Sequence, residues 1–240
     1  MDEVRIAVIG AGIAGLTCAA ELARADAKVT VFERSRGLGG RLATRRNGNF
    51  VFDHGAQYLT ARSRPFLRFS EIAARAGVLA DWRPRVLEDG RPLGEPFENW
   101  LVGAPGMSTL VRPLTRNVDL QSGVAVHELL QGQRGWELQT DSGRPNKVFN
   151  AIVVAVPAPQ AVSLLGHHGR AFRHLTEVRI APCWSVMMAF ERPLPVAGDA
   201  YRWTRGPLNW AACNSTKSGR PAEPQAWVVH GALAAGACGL

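Results

Sequence analysis

Three glycines near the N-terminus, Gly10, Gly12 and Gly15, have the spacing of a turn that cradles the pyrophosphate of a dinucleotide. Gly10 would permit the tight turn, Gly12 a close approach of the backbone to phosphate, and Gly15 close packing of a helix on a strand. Glu33 follows where an acid accepts hydrogen bonds from ribose hydroxyls, which disfavours a ribose that carries a 2′-phosphate. Together the four residues predict a dinucleotide-binding site.

The elements that must position these residues alternate in type along the chain. Residues 4–9 form an apolar run typical of a strand covered on both faces, a helical pattern follows the glycines, and residues 28–33 (KVTVFE) are typical of a second strand. Further strands are predicted between residues 118 and 156, and a second β-rich region follows at 185–230. The pattern predicts an α/β fold with a Rossmann-type parallel sheet and a β-meander, joined to a smaller β-rich α+β substrate domain.

A second glycine pair, Gly39 and Gly40, precedes Arg41 a few residues beyond the acid. Paired glycines let the chain pass close to a second part of a long ligand, and Arg41 adds positive charge for the phosphates. Domains that bind NAD alone rarely need this extension, so the segment favours FAD as the cofactor. An NAD(P)-binding reductase and a truncated, non-catalytic dinucleotide-binding protein are the alternatives.

Longer motifs around these residues resemble the renalase-like branch of the FAD-dependent amine oxidase superfamily, particularly its bacterial NAD(P)/FAD-dependent oxidoreductases. The resemblance is carried by ERSRGLGGRLATRR, FDHGAQYLTAR, APGMSTLVRPL, IVVAVPAPQA and NWAACNSTKSGR. One departure is Gly37, where amine oxidases usually place an arginine. Another lies after Trp227, where nothing resembles the C-terminal segment that returns to the FAD domain in relatives. The charge-free ending GALAAGACGL predicts either that the chain stops before the fold is complete or that this tail is not the original continuation.

The resemblance implies FAD as cofactor and an oxidase activity on a small-molecule substrate. A hydride would pass from an organic donor, either a dihydropyridine isomer of NAD(P)H or an amine, to the flavin N5, with O2 as electron acceptor and H2O2 as product. It also implies roles by position: the pyrophosphate at Gly10, Gly12, Ala14 and Gly15, the adenosine ribose at Glu33, the diphosphate or ribityl chain at Gly40 and Arg41, the flavin ring at Ala56 and Gln57, and the adenine at Val126.

Catalytic residues are not evident from the pattern. Gln57, His54 and Asn214 are weak candidates, and Trp184, Trp210 and Asn214 are candidates to frame a planar ring. A dihydropyridine donor needs little acid–base help, because orientation and electrostatics suffice once the cofactor supplies the chemistry. The absence of a catalytic dyad therefore does not argue against an enzyme.

The predicted domains are discontinuous. Residues 1–62 and 118–160 are assigned to the FAD-binding domain, residues 63–117 and 161–230 to the substrate domain, and residues 231–240 to a tail of doubtful structure.

Composition excludes several other classes of protein. The formal net charge is +8, but only three of the 28 basic residues are lysines and the arginines are spread along the chain, which argues against nucleic acid as partner. The longest apolar stretch is interrupted by prolines and too short to span a membrane, and the start of the chain does not have the pattern of a signal peptide. Four scattered cysteines predict neither a disulfide framework nor a metal site. These features predict a cytoplasmic protein.

Overall fold

The computed structural model describes residues 3–94, 98–166 and 168–232 of the chain. Residues 233–240, which make up most of the predicted tail, lie outside the described residues.

The strands are β1 (Arg5–Ile9), β2 (Lys28–Glu33), β3 (Thr44–Asn47), β4 (Phe50–Asp53), β5 (Leu79–Trp82), β6 (Val86–Glu88), β7 (Arg91–Pro92), β8 (Trp100–Gly103), β9 (Asp119–Ser122), β10 (Val126–Gly132), β11 (Gly135–Thr140), β12 (Ala151–Val154), β13 (Ser185–Phe190), β14 (Ala200–Arg202), β15 (Leu208–Cys213) and β16 (Gln225–Gly231). The α-helices are α1 (Ile13–Arg24), α2 (Arg64–Arg75) and α3 (Ala158–Leu165), and 3-10 helices occupy Gly40–Leu42, Met107–Thr115, Arg170–Glu177 and Asn214–Thr216.

The first compact unit comprises residues 1–40 and 111–180. Its main sheet has four parallel strands in the order β12-β1-β2-β9. β1 and β2 are apolar because helices and loops cover both faces of such a sheet, and Val8 and Val31 are fully buried. Helix α1 contributes Leu16 and Ala19 to this unit's buried residues. The predicted Rossmann-type fold is confirmed, and the antiparallel hairpin β10–β11 lies within the predicted β-meander.

The second unit comprises the described residues within 41–110 and from 181 onwards. Its largest sheet has six strands in the order β13-β16-β15-β14-β6-β7, β3–β4 is a separate hairpin, and β5 and β8 form a separate antiparallel pair. The core contains Trp82, Val102, Met107 and Leu110, all buried. The unit is β-rich, as predicted.

The hairpin β3–β4 belongs to the β-rich unit. In this unit the Asn214 amide donates a hydrogen bond to the Val51 carbonyl at 2.7 Å. The assignment of residues 1–62 to FAD binding concerns a ligand and stays a prediction.

Candidate functional site

In the glycine turn of the first unit, Gly10 and Gly15 pack tightly against protein atoms, whereas the space beside Gly12 is open. Gly10 has φ +105°, and a Cβ there would lie 2.7 Å from the carbonyl oxygen of Ala155. A Cβ on Gly15 would lie 2.0 Å from the carbonyl oxygen of Gly10, so only glycine allows the helix to pack this closely. A Cβ on Gly12 would meet nothing within 4 Å. The open space at Gly12 is where a ligand can approach the backbone.

The N-terminus of α1 is built to receive an anion. Gly12 is its N-cap and offers no side chain to the free N–H groups, and the first turn contains no acidic residue. Ala14, in that first turn, is exposed. Uncapped N–H groups and the helix dipole together attract negative charge. The arrangement fits a pyrophosphate.

Glu33, at the end of β2, is oriented by backbone groups. Its carboxylate accepts hydrogen bonds from the N–H of Ala11 at 2.9 Å and from the N–H of Ser35 at 2.8 Å. Each bond uses one carboxylate oxygen, so both oxygens keep acceptor capacity for hydroxyl groups. The carboxylate is half-buried beside the glycine turn, where it can bind a ribose.

The second glycine pair lies directly against the first glycine turn. The N–H of Gly39 donates to the carbonyl of Ala11 at 2.9 Å, and Gly39 forms a parallel bridge with Gly12. A Cβ on Gly40 would lie 3.4 Å from the Cα of Gly12. Two segments separated by more than twenty residues in the sequence therefore form one glycine-lined surface, which is extended as a long dinucleotide such as FAD requires.

Val126, the predicted adenine contact, opens β10 in the same unit. The preceding Val124 donates its N–H to the carbonyl of Glu33 at 2.9 Å, so the entry to β10 is tied to the end of β2. Val126 itself is half-buried and pairs with Thr140.

Arg41 and Ala56 are joined in the second unit. The N–H of Ala56 donates to the carbonyl of Arg41 at 2.9 Å, and the side chain of Arg41 is exposed. A Cβ on Gly55 would lie 2.1 Å from the same carbonyl oxygen, which requires glycine at this crossing. The HGAQY turn is thus bonded to Arg41 through the backbone.

A buried polar cluster fills the inside of that turn. The side chains of Asp53, Lys217 and Arg220 are at most 1% exposed. Asp53 forms ion pairs with Arg220 and, at 3.5 Å, with the Lys217 ammonium. The ammonium also donates to the Gln57 side-chain oxygen and to the Asn214 side-chain oxygen, both at 2.9 Å. One carboxylate thus faces two cations in the protein interior.

The cluster has two cations and one carboxylate, and this difference determines the pKa values of Asp53 and Lys217. Burial alone raises the pKa of Asp53, but the ammonium of Lys217, the guanidinium of Arg220 and the N–H of Met107 outweigh it and leave that pKa below its ordinary value. Burial lowers the pKa of Lys217 to about 8, against the opposing attraction of Asp53. The pKa of Lys217 stays below its ordinary value because Arg220 repels the ammonium, while the carboxylate of Asp53 is shared between two cations.

His230, on β16, lies at the edge of the cluster. Its Nε2 is 3.2 Å from the carbonyl oxygen of His54 and 3.5 Å from the side-chain nitrogen of Gln57. Burial lowers the pKa of His230, with smaller contributions from the positive charge of Lys217 and from His54, while the bond to the His54 carbonyl opposes the shift. His54 contacts the His230 ring through its backbone carbonyl.

The weak catalytic candidates and the tryptophans have different surroundings in the second unit. Gln57 and Asn214 are buried with their amides bonded inside the protein. Trp210 is buried in an aromatic cluster in which Tyr58 and Trp100 stack at 4.0 Å. Trp184 is 76% exposed. The structure does not bring the two tryptophans together with Asn214 as one ring-binding pocket, because Trp210 packs into the core and Trp184 faces solvent.

Sequence reasoning missed Asp53, Lys217, Arg220 and His230. Three of these lie in motifs that carried the resemblance, FDHGAQYLTAR and NWAACNSTKSGR. The available signal was the acid directly before the HGAQY turn and a lysine in a chain with only three. A charged residue among serine, threonine and glycine is nevertheless typical of a solvated loop, so the pattern alone did not predict burial.

The structure also bears on the expectations about metals and membranes. Within the described residues, no group of three or more His, Cys, Asp or Glu side chains is placed to hold a metal ion. No helix in the described part of the chain has the length and apolar character needed to cross a bilayer.

Comparisons with known proteins give a family and a fold. The family described as an NAD(P)-binding Rossmann-like domain matches residues 8–76, and the family described as flavin containing amine oxidoreductase matches residues 82–236. A 4,4'-diapophytoene desaturase from Staphylococcus haemolyticus is 35% identical over 79 residues, which is 33% of this chain and 16% of the desaturase.

Two solved structures share the fold at low sequence identity. A redesigned triple mutant of putrescine oxidase has a TM-score of 0.73 and 11% sequence identity. The alignment covers 96% of this chain and 76% of the putrescine oxidase chain. A protein from Pyrococcus furiosus has a TM-score of 0.70 and 15% identity, covering 96% and 80%.

Proposed function

The chain belongs to the family of flavin-containing amine oxidoreductases, and on that premise we propose that it is an FAD-dependent oxidase of the renalase-like type. Its substrate is an organic hydride donor, either a dihydropyridine isomer of a nicotinamide dinucleotide or an amine. Bound FAD supplies a hydride acceptor at N5 and a route for the electrons to O2, which leaves as H2O2.

One observation carries the proposal: the second glycine pair lies against the first glycine turn. The bridge between Gly12 and Gly39 and the open space at Gly12 make a backbone surface that side chains do not obstruct. Such a surface suits a pyrophosphate in contact with two chain segments, whereas a single glycine turn suffices for NAD. Glu33 stands beside it with free acceptor capacity for an unphosphorylated ribose.

The residues of the chain bind FAD and orient it. The proposed FAD contacts are Gly10, Gly12, Ala14, Gly15, Glu33, Gly40, Arg41, Ala56, Gln57 and Val126. The Gln57 amide is bonded at both ends inside the protein, to Lys217 and to the Asp53 carbonyl. We therefore assign the flavin-facing role in this turn to the backbone of residues 54–57, with the Gln57 side chain holding the turn from behind.

Charge favours the dinucleotide donor over the amine. The chain carries +8, and Arg45 and Arg46 on β3 are both exposed. A dinucleotide carries negative phosphates and is attracted by such a surface, while a protonated amine is repelled. Rates with a dinucleotide donor should accordingly fall as ionic strength rises, because salt screens exposed charges.

The test has two stages. The purified chain should show the near-ultraviolet and blue absorption bands of an oxidised flavin, either directly or after addition of FAD. A protein that remains colourless with excess FAD overturns the proposal and favours the non-catalytic or NAD(P)-binding alternatives.

In the second stage, anaerobic mixing with dihydropyridine dinucleotide isomers or with simple amines identifies the donor by the one that bleaches the flavin. Admitting O2 should restore the colour and form H2O2 in an amount equal to the donor oxidised. Arg45→Glu should slow bleaching by the dinucleotide, with Arg134→Glu, in the exposed β10–β11 turn, as the matched control. Bleaching by neither class of donor rejects the proposed substrate.

A further inference from the structure

Three polar side chains lie in one row across the largest sheet of the second unit. His230 on β16 is the cross-strand partner of Ser185 on β13 and of Trp210 on β15. Residues paired across antiparallel strands project from the same face of the sheet, with Cβ atoms about 5 Å apart. The register therefore places a hydroxyl, an imidazole and an indole next to one another.

Two of these side chains have a buried polar atom without a partner. Among the described residues, four buried side-chain N or O atoms make no hydrogen bond, and two of them are Ser185 Oγ and Trp210 Nε1. Trp227, a buried tryptophan of the same sheet, instead donates its indole N–H to the Gln225 side chain at 2.9 Å. A buried polar atom without a partner costs free energy, so a row with two such atoms is expected to receive a ligand.

The imidazole between them completes the set of donors and acceptors. Nε2 of His230 lies 3.2 Å from the carbonyl oxygen of His54, which can only accept, so Nε2 carries the proton of the neutral ring. Burial lowers the pKa of His230, which favours that neutral ring. Nδ1 is then an acceptor, and none of the described residues donates to it. The row thus offers an indole that only donates, a ring nitrogen that only accepts and a hydroxyl that does both.

The surroundings of the row separate polar from apolar contacts. Ser185 and His230 are half-buried, so a ligand can reach them from solvent. The next row on the same face consists of three apolar residues, Met187, Val228 and Ala212. A ligand with an apolar ring and one polar substituent fits this division when the substituent lies at the polar row.

We propose that Ser185, His230 and Trp210 bind the carboxamide of the hydride donor. The oxygen of a primary carboxamide accepts from the indole N–H, its NH2 group donates to Nδ1, and the hydroxyl can bond to either end. A protonated amine has no acceptor for the indole, and a carboxylate has no donor for the imidazole. The inference rests on the proposed function, in which the turn of residues 54–57 lies beside the flavin, and it selects the dihydropyridine dinucleotide from the two donors proposed above.

The test follows the tryptophan indole N–H signals of the full chain by NMR while a probe is added to the FAD-treated protein. The Trp210 signal is identified by its loss in Trp210→Phe. The probes are 1-methylnicotinamide, which has a carboxamide, 3-acetyl-1-methylpyridinium, which has only an acceptor, and benzylamine, which has only donors. The carboxamide probe should move the Trp210 signal saturably and bind roughly three- to tenfold more tightly than the acetyl probe, the usual effect of one neutral hydrogen bond. Benzylamine should leave the signal in place.

Variants locate the individual contacts. His230→Phe removes the acceptor, so it should bind the carboxamide and acetyl probes equally, and Ser185→Ala should weaken the carboxamide probe by roughly three- to tenfold. The matched control is Trp227→Phe, which removes a bonded indole on the opposite face of the sheet and should retain the preference for the carboxamide. A preference that persists in His230→Phe overturns the proposal.

The wild type decides the matter if the variants do not fold, since the ranking of the three probes needs no substitution. Equal binding of the carboxamide and acetyl probes, or indole signals that no probe moves, overturns the proposal and leaves ordered water as the partner of the row. The visible spectrum of the same samples reports bound FAD. A colourless protein contradicts the proposed function whichever probes bind, whereas a yellow protein whose indole signals do not respond contradicts only this inference.

Discussion

Replacing Lys217 with methionine should change how the stability of the protein depends on pH. The native ammonium has a pKa of about 8, compared with 10.5 for an ordinary lysine. Between these values the unfolded chain holds the proton and the folded chain does not, so the free energy of unfolding rises with pH. The wild type therefore gains stability as pH increases from about 8 towards 10.5, and Lys217→Met has no such gain.

The size of the effect follows from the pKa difference. One pKa unit corresponds to about 1.4 kcal/mol, so the full shift is worth roughly 3 kcal/mol, and roughly 2–3 kcal/mol of it falls below about pH 10. The variant also leaves the side-chain oxygens of Gln57 and Asn214 without their donor, at about 1–3 kcal/mol each. Lys217→Met should thus be less stable than wild type at pH 7 and fall further behind at alkaline pH.

Denaturant unfolding followed by tryptophan fluorescence from about pH 7 to about pH 10 measures this difference. Tyr58, whose pKa is raised chiefly by burial, also titrates at alkaline pH, but it is present in both proteins and cancels in the comparison. The pKa of Cys213 is raised chiefly by burial and lowered by Lys217, so both proteins are compared in a Cys213→Ala background. Lys147→Met, which removes an exposed ion pair, should change stability by less than about 1 kcal/mol. A wild-type-to-variant difference that stays constant across the pH range would refute the reasoning.

Four further substitutions test the dinucleotide site and the buried cluster. Gly12→Ala should fold like wild type, because its Cβ enters open space, yet bind FAD at least tenfold more weakly by equilibrium titration, whereas Gly15→Ala, 2.0 Å from a carbonyl oxygen, should lower the melting temperature. If Gly12→Ala and Gly15→Ala had equal effects, the open space at Gly12 and the tight packing at Gly15 would be contradicted. Glu33→Gln should weaken FAD binding by about 1–3 kcal/mol, and unchanged affinity would place the ribose elsewhere. Asp53→Asn should destabilise the fold by about 3–5 kcal/mol by leaving two buried cations uncompensated, and a change below about 1 kcal/mol in denaturant unfolding would contradict the ion pairs.

The site in the first unit could be predicted because its parts are local. Gly10, Gly12 and Gly15 follow a strand and open a helix, and Glu33 ends the next strand, so the βαβ unit itself brings them together. The close approach of Gly15 to the Gly10 carbonyl is local, whereas the Ala155 carbonyl that crowds Gly10 comes from a distant segment of the chain. The second glycine pair indicated a longer ligand, but its pairing with Gly12 was seen only in the folded structure.

The cluster in the second unit could not be predicted in the same way. Lys217 reaches Gln57 across 160 residues, and Arg220 reaches Asp53 across 167. Periodicity and spacing have no information on contacts at such separations. The tryptophans illustrate the same limit, since Trp184 and Trp210 were both candidates from the sequence but have opposite exposure in the structure.

The sequence by itself determined the dinucleotide turn, the acid that suits an unphosphorylated ribose, and the α/β character of the chain. These features depend on short-range sterics and on the alternation of strands and helices, which residues close in sequence decide. Only the tertiary structure decided that Asp53, Lys217 and Arg220 are buried together behind the HGAQY turn. Burial and the pairing of charges depend on which distant strands and loops pack on one another, and that packing converts a lysine in an ordinary polar segment into a buried ion-pair partner of Asp53.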